Sequence, residues 1–165
     1  MDLSKKITFE FEKSLNKNLQ DVIVSNFFIW KWEMDIFRML KNWYVYEYEI
    51  KISKNDYKND FDKKNKHELM KQWKRECNKF FFIVPKWLIK IEDIPEQYWL
   101  IYYNIDTNKF TEVKKPNFLH KNLIWNQDWF HKYLIKKLAL KTLLLKQKID
   151  KLTKYKKRTI KKEDN

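Results

Sequence analysis

The stretch Trp43-Tyr44-Val45-Tyr46-Glu47-Tyr48-Glu49-Ile50-Lys51-Ile52-Ser53 decides the fold class. It is rich in aromatic and β-branched residues and it alternates, which is the pattern of a strand. Alternation puts Tyr44, Tyr46, Tyr48, Ile50 and Ile52 on one face, and Glu47, Glu49, Lys51 and Ser53 on the other. Upstream, residues 31–40 read as a second strand joined to it by a tight turn at Lys41-Asn42, and residues 22–29 read as a first. Residues 5–20 predict a helix capped by Ser4, because Ile7, Phe11, Leu15 and Leu19 recur every four residues.

Downstream, residues 55–78 turn polar and helical, with Tyr57, Phe61, Leu69 and Trp73 as sparse apolar anchors. Residues 79–85 and 99–105 are short continuous apolar runs, as in buried strands. Residues 110–113 read as a further strand after a turn at 106–109. The order helix, three strands, helix, strand describes an α/β domain. Residues 126–158 predict one long helix, its stripe made of Phe130, Leu134, Leu138, Leu145, Ile149, Leu152 and Tyr155. We expect that stripe to pack on the domain and the last residues, 159–165, to fray. The expected division is a domain over 1–125 and the helix with its tail over 126–165.

The chain has 165 residues, 44% of them hydrophobic and 18% aromatic, enough apolar mass for one domain with a real core. It contains no glycine, which removes every Gly-rich phosphate cradle from consideration. The single cysteine, Cys77, permits no disulfide within the chain and suits a reducing, cytoplasmic setting. The N-terminal residues lack a signal-peptide core, and no run approaches the roughly 18 apolar residues of a membrane span. Net charge is +14, which favours a polyanionic partner. Residues 131–162 carry thirteen Lys and Arg against one acid, Asp150, so the expected C-terminal helix is strongly basic. It could attract DNA, pair with a second copy to give a homodimer, or lie on an anionic surface. Packing on the domain, with DNA attraction following from the charge, is the reading preferred, and no membrane role is expected.

The acids and lysine have a chemistry. On 31–40, Glu33 and Asp35 share a face, and a hairpin through Lys41-Asn42 brings Asp35 near Glu49 with Lys51 beside them. Mg²⁺ takes one or two carboxylates plus waters and substrate phosphate. A bound metal activates water and polarises phosphate, and a lysine stabilises the developing charge. The ordinary alternative is a solvated strand face with local ion pairs of little consequence.

The block Trp32-Glu33-Met34-Asp35, then Tyr46-Glu47-Tyr48-Glu49-Ile50-Lys51-Ile52-Ser53, then Asp56, Asp60, Lys63-Lys64 and Lys66-His67 resembles the MmcB-like DNA-repair family of the PD-(D/E)XK nuclease superfamily. Weaker likeness continues through Phe80–Pro85, Ile94-Pro95-Glu96, Leu100-Ile101-Tyr102 and Val113–Pro116 to Leu119-His120. The resemblance implies a restriction-endonuclease-like core of order αβββαβ, with a mixed central sheet flanked by helices. It implies a metal-dependent deoxyribonuclease of DNA repair, recombination or phage DNA metabolism. Asp35 matches the metal-binding aspartate, Glu49 the acid and Lys51 the lysine of the motif. The Ile50 carbonyl is a third candidate ligand for Mg²⁺, or Mn²⁺ in its place. Glu33 and Glu47 match flanking acids, and Glu10 and Glu12 are candidates for an acid on the first helix. Met34 stands where relatives often have proline, and Trp99 where they often have glycine. The alternative is a catalytically silent nucleic-acid-binding or phage assembly protein on the same fold.

Candidate DNA contacts are Ser53, Lys63, Lys66 and His67, weighed against a solvated helix face. His120, His131 and Cys77 have no ligand or catalytic spacing around them. Of the eight tryptophans most are expected in the core, with Trp30 and Trp125 as candidate exceptions that stack on bases.

Overall fold

A computed structural model describes residues 2–16, 20–29, 32–62, 66–72, 77–115, 117–123 and 127–163. The chain divides into two compact units, Met1–Leu123 and Ile124–Asn165.

The first unit is a mixed α/β domain. Helix α1 (Leu3–Leu15) precedes strands β1 (Val22–Ile29), β2 (Trp32–Met39) and β3 (Val45–Ile50). Helices α2 (Lys54–Asp62) and α3 (Lys66–Lys71) lead to β4 (Lys79–Pro85), β5 (Trp99–Asn104) and β6 (Lys109–Lys114). The six strands lie in chain order in one sheet. β1, β2 and β3 form an antiparallel meander, β3–β4 and β4–β5 are parallel, and β5–β6 is antiparallel. The parallel β3–β4 pair needs a crossover, which α2 and α3 supply.

Both faces of the centre are covered, so β3 and β4 are buried on both sides. On one face Ile7 and Phe11 of α1 join Ile36, Tyr48, Ile50, Phe81, Ile83 and Ile101 in the core, with the Phe11 and Tyr48 rings 4.9 Å apart. On the other, Tyr57 of α2 meets Phe82 at 5.1 Å and His67 of α3 meets Phe80 at 6.1 Å. Cys77 is fully buried.

Several expectations shift. α1 begins at Leu3 behind Asp2, so Ser4 lies inside the helix rather than at its cap, and its carbonyl accepts the Thr8 hydroxyl at 3.0 Å. The turn after β2 runs through Trp43 as well as Lys41-Asn42. The Trp43 N–H bonds Leu40 O at 2.9 Å, and Trp43 sits at φ 69°, in the left-handed region. β3 is shorter than 43–53 because that turn delays its start and Ser53 ends it: the Ser53 Oγ accepts the Asp56 N–H at 3.1 Å, capping α2.

The second unit contains α4 (Gln127–Glu163), whose 37 residues continue past the expected end at 158. Phe130 and Leu134 are buried, and Leu138, Leu145, Ile149 and Leu152 are exposed. Lys141 and Lys148 interrupt the stripe. Among the described residues no helix is long and apolar enough to cross a membrane.

Candidate active site

β2 and β3 pair with Ile36 opposite Tyr48, which sets Asp35 level with Glu49. The Asp35 Oδ2 accepts the Ile50 N–H at 2.7 Å, so the acid of β2 is fastened between Glu49 and Lys51. The sheet thereby brings together the three residues that the strand alternation singles out. It is the N–H of Ile50, rather than its carbonyl, that meets Asp35.

Further groups close around them. Lys51 Nζ donates to Glu49 Oε1 at 2.9 Å and lies 3.1 Å from Asp60 Oδ1. Lys66 Nζ lies 3.0 Å from Glu49 Oε2 and 3.1 Å from Asp60 Oδ2. Two ammoniums and two carboxylates thus form a closed ring, with side chains between 0% and 6% exposed. His67 extends it: Nε2 is 3.0 Å from Asp60 Oδ2 and Nδ1 is 2.7 Å from the Tyr98 hydroxyl. In the neutral ring Nε2–H donates to the carboxylate and Nδ1 accepts from Tyr98.

The charges shift one another's protonation. Burial, and then the negative charge of Glu49, push the Asp35 carboxyl up to about 6 against the opposing pull of the Ile50 N–H, Lys51 and Lys66. Burial disfavours the Lys51 ammonium, but Glu49 and Asp60 outweigh it and hold the lysine above its ordinary range. Burial also disfavours charge on Asp60, yet His67, Lys66 and Lys51 hold it well below the usual carboxylate range.

Lys66 and His67 therefore face inward, away from the solvated helix face that is their ordinary alternative. Both His67 nitrogens are engaged within the protein, which leaves it positioning Asp60 instead of touching phosphate. Ser53 is exposed and caps α2. Lys63 lies outside the described residues, as do Leu19, Trp30, Trp73 and Trp125. Glu47 is fully buried between Phe37 and Phe80 in register, while Glu33 is exposed opposite Phe28. Glu10 and Glu12 lie on α1, which packs on the sheet face opposite Glu49, and both are partly exposed. His131 is exposed, and His120 meets the buried Asn78 side chain.

Sequence reasoning gives Asp60 and Tyr98 no part in the site. A signal for Asp60 exists: it stands three residues after Tyr57 and beside Phe61, on the face of α2 that carries the apolar anchors.

Among the described residues no group of three or more His, Cys, Asp and Glu is placed to hold a metal. Asp35 and Glu49 still fit a hard divalent cation, which needs only one or two carboxylates. The buried Glu49 and the half-buried Asp35, the latter driven up to about 6 by burial and then by the charge of Glu49, would form an oxygen donor pair that such a cation relieves.

No family model and no curated protein matches the chain. A solved structure is similar to it, the SPO1766 protein of unknown function from Silicibacter pomeroyi. Its TM-score is 0.62 at 16% identity, with 87% of this chain and 88% of that one covered. At that identity the likeness concerns the fold, a mixed α/β domain.

Proposed function

We propose that the chain is a metal-dependent nuclease of the PD-(D/E)XK type that hydrolyses DNA phosphodiester bonds. The observation that carries this reading is the 2.7 Å bond from the Ile50 N–H to Asp35, which joins Asp35, Glu49 and Lys51 into one group on adjacent strands. The element order helix, three strands, helices, parallel strand supports it, since it is the order the MmcB-like resemblance implies. Asp35 and Glu49 would hold the cation, Mg²⁺ or Mn²⁺. When bound, it would supply Lewis acidity toward the phosphate and a more acidic water. Lys51, kept protonated by Glu49 and Asp60, offers its ammonium to charge building on phosphorus. Asp60, held by His67 and Lys66, fixes where that ammonium sits. The lysines of residues 131–162 would add salt-sensitive attraction to the DNA backbone.

A second reading has its own observation. Both Glu49 oxygens already face a lysine, which suits a silent nucleic-acid-binding protein whose acids only balance buried cations. Cleavage of labelled linear, single-stranded and branched DNAs with Mg²⁺ or Mn²⁺ decides between them. Cleavage that requires both metal and Asp35 is expected. Binding without cleavage by the wild type would favour the silent protein.

A further inference from the structure

Trp87 is 68% exposed, the most exposed large apolar side chain among the described residues. Tryptophan at the surface loses the burial that usually stabilises it, so a fixed exposed one asks for a partner. The segment that carries it is firmly held. Leu88 N–H bonds Pro85 O at 2.9 Å, Lys86 N–H bonds Tyr103 O at 3.1 Å, and the Tyr102 hydroxyl donates to Ile89 O at 2.7 Å. Leu88 and Ile89, immediately after Trp87, are buried. The indole is thus presented by an anchored turn.

Its surroundings suit a nucleobase. A cavity of about 440 Å³ lies beside it, lined by Lys86, Trp87, Tyr103, Asn104, Ile105 and Asp106. The far wall is fixed too: Asn104 Oδ1 accepts the N–H groups of Asp106 and Thr107 at 3.0 and 3.1 Å. Lys86 and Lys90 are exposed on either side of Trp87. Asp106 offers an acceptor that suits a base amino group. β3, β4 and β5 run parallel, so Trp87, just past β4, stands at the same end of the sheet as Lys51, just past β3, with the cavity's Tyr103 on the α1 face and Lys51 on the other, so that a strand crossing this end would meet both.

We propose that Trp87 is a stacking platform for an unpaired base, and that the nucleic acid at this site is single-stranded or locally opened. Every base has a face that stacks on indole, whereas paired bases inside a duplex present only their edges. The proposal deepens the nuclease reading by naming its substrate class, and it rests only on the nucleic-acid-binding part of that reading.

The test measures anisotropy of a labelled single strand of about 20 nucleotides, spanning one or more sites of the usual size, and of a duplex of the same sequence, without divalent metal. Wild type, Trp87→Ala and Trp87→Phe are compared. Expected is a loss of roughly tenfold or more in single-strand affinity for Trp87→Ala, recovered for the most part by Trp87→Phe, with duplex affinity changed less than about twofold. Single strands with abasic positions should bind wild type and Trp87→Ala alike. Unchanged single-strand binding by Trp87→Ala overturns the proposal, and so does an equal loss on single strand and duplex. Wild type that binds neither nucleic acid overturns it as well and leaves Trp87 to a protein partner. A Trp87 effect in a protein that cleaves nothing would sink the nuclease reading alone.

Discussion

Lys66 Nζ stands 3.0 Å from Glu49 Oε2, so a residue of α3 pairs with the acid of β3 whose other oxygen is held by Lys51. The same ammonium reaches Asp60, and the two lysines and two acids offset each other out of contact with water. Such a ring is weak evidence for net stability, but removing one member leaves a buried charge without compensation.

Lys66→Met should therefore destabilise the domain by about 3–5 kcal/mol, read as a lower urea midpoint. It should also tighten Mn²⁺ binding by calorimetry, because one competing cation has left Glu49. A variant as stable as wild type would mean that the ring contributes nothing to the fold.

Asp60 governs the acid side of the stability curve. Its folded carboxyl is held below the usual range by His67, Lys66 and Lys51, against burial. A lowered folded pKa contributes stability that is full above the unfolded value of about 3.9 and is lost as pH falls below it. Wild type should lose urea resistance progressively as pH falls from about 4 toward about 1. Asp60→Asn should start lower and fall less over the same window. Parallel curves would remove Asp60 from the account.

Under the nuclease reading, Lys51→Ala should cut cleavage by about 100-fold or more while leaving DNA affinity nearly unchanged. Substrate binding and charge stabilisation are then separable, in kcat against KM. Cleavage at the wild-type rate would refute the role given to Lys51.

Replacing Lys146, Lys148 and Lys151 of α4 with Gln should reduce the slope of log affinity against log salt by about 0.9 for each phosphate that a lysine no longer neutralises. All three side chains are exposed. An unchanged slope would show that α4 does not touch the DNA backbone.

Asn78 is a stability test outside the site. Its Oδ1 accepts the Val45 N–H at 2.7 Å, and its Nδ2 donates to Asn122 O at 2.8 Å and His120 O at 3.1 Å. Asn78→Ala leaves a buried N–H without its partner and should cost about 1–3 kcal/mol in chemical denaturation.

The strand signals in the sequence are strong for a physical reason. A period of two is short, and in 43–53 the order of residues alone places Glu49 and Lys51 on one side, whereas Asp35 joins them because the turn includes Trp43 and pairs Ile36 with Tyr48; a two-residue turn at Lys41-Asn42 would set Asp35 opposite Tyr48. β1 and β4 are legible with their bounds: Asp21 precedes the β-branched and aromatic run of β1, and Asn78 and Lys86 flank β4. The buried ring is not legible as a ring. Lys66 and His67 sit in a stretch as polar as any solvated helix, and only three-dimensional proximity tells offset charges from hydrated ones. Trp87 looks like its seven fellow tryptophans, because an aromatic residue gives no hint in sequence of which way a tight turn points it. The stripe on α4 is legible as a face and no more: periodicity shows that a face exists, not what covers it.

The turn between β2 and β3 also bears on the unfolded chain. Trp43, Asn26 and Asn108 all occupy the left-handed region, with φ of 69°, 48° and 53°, in a chain that has no glycine to place there. A bulky residue in that conformation is strained by roughly 1–2 kcal/mol. The same lack of glycine narrows the conformations open to the unfolded chain, so less entropy is lost when it folds. The sequence thus accepts local strain at Trp43 and starts from a less disordered denatured ensemble.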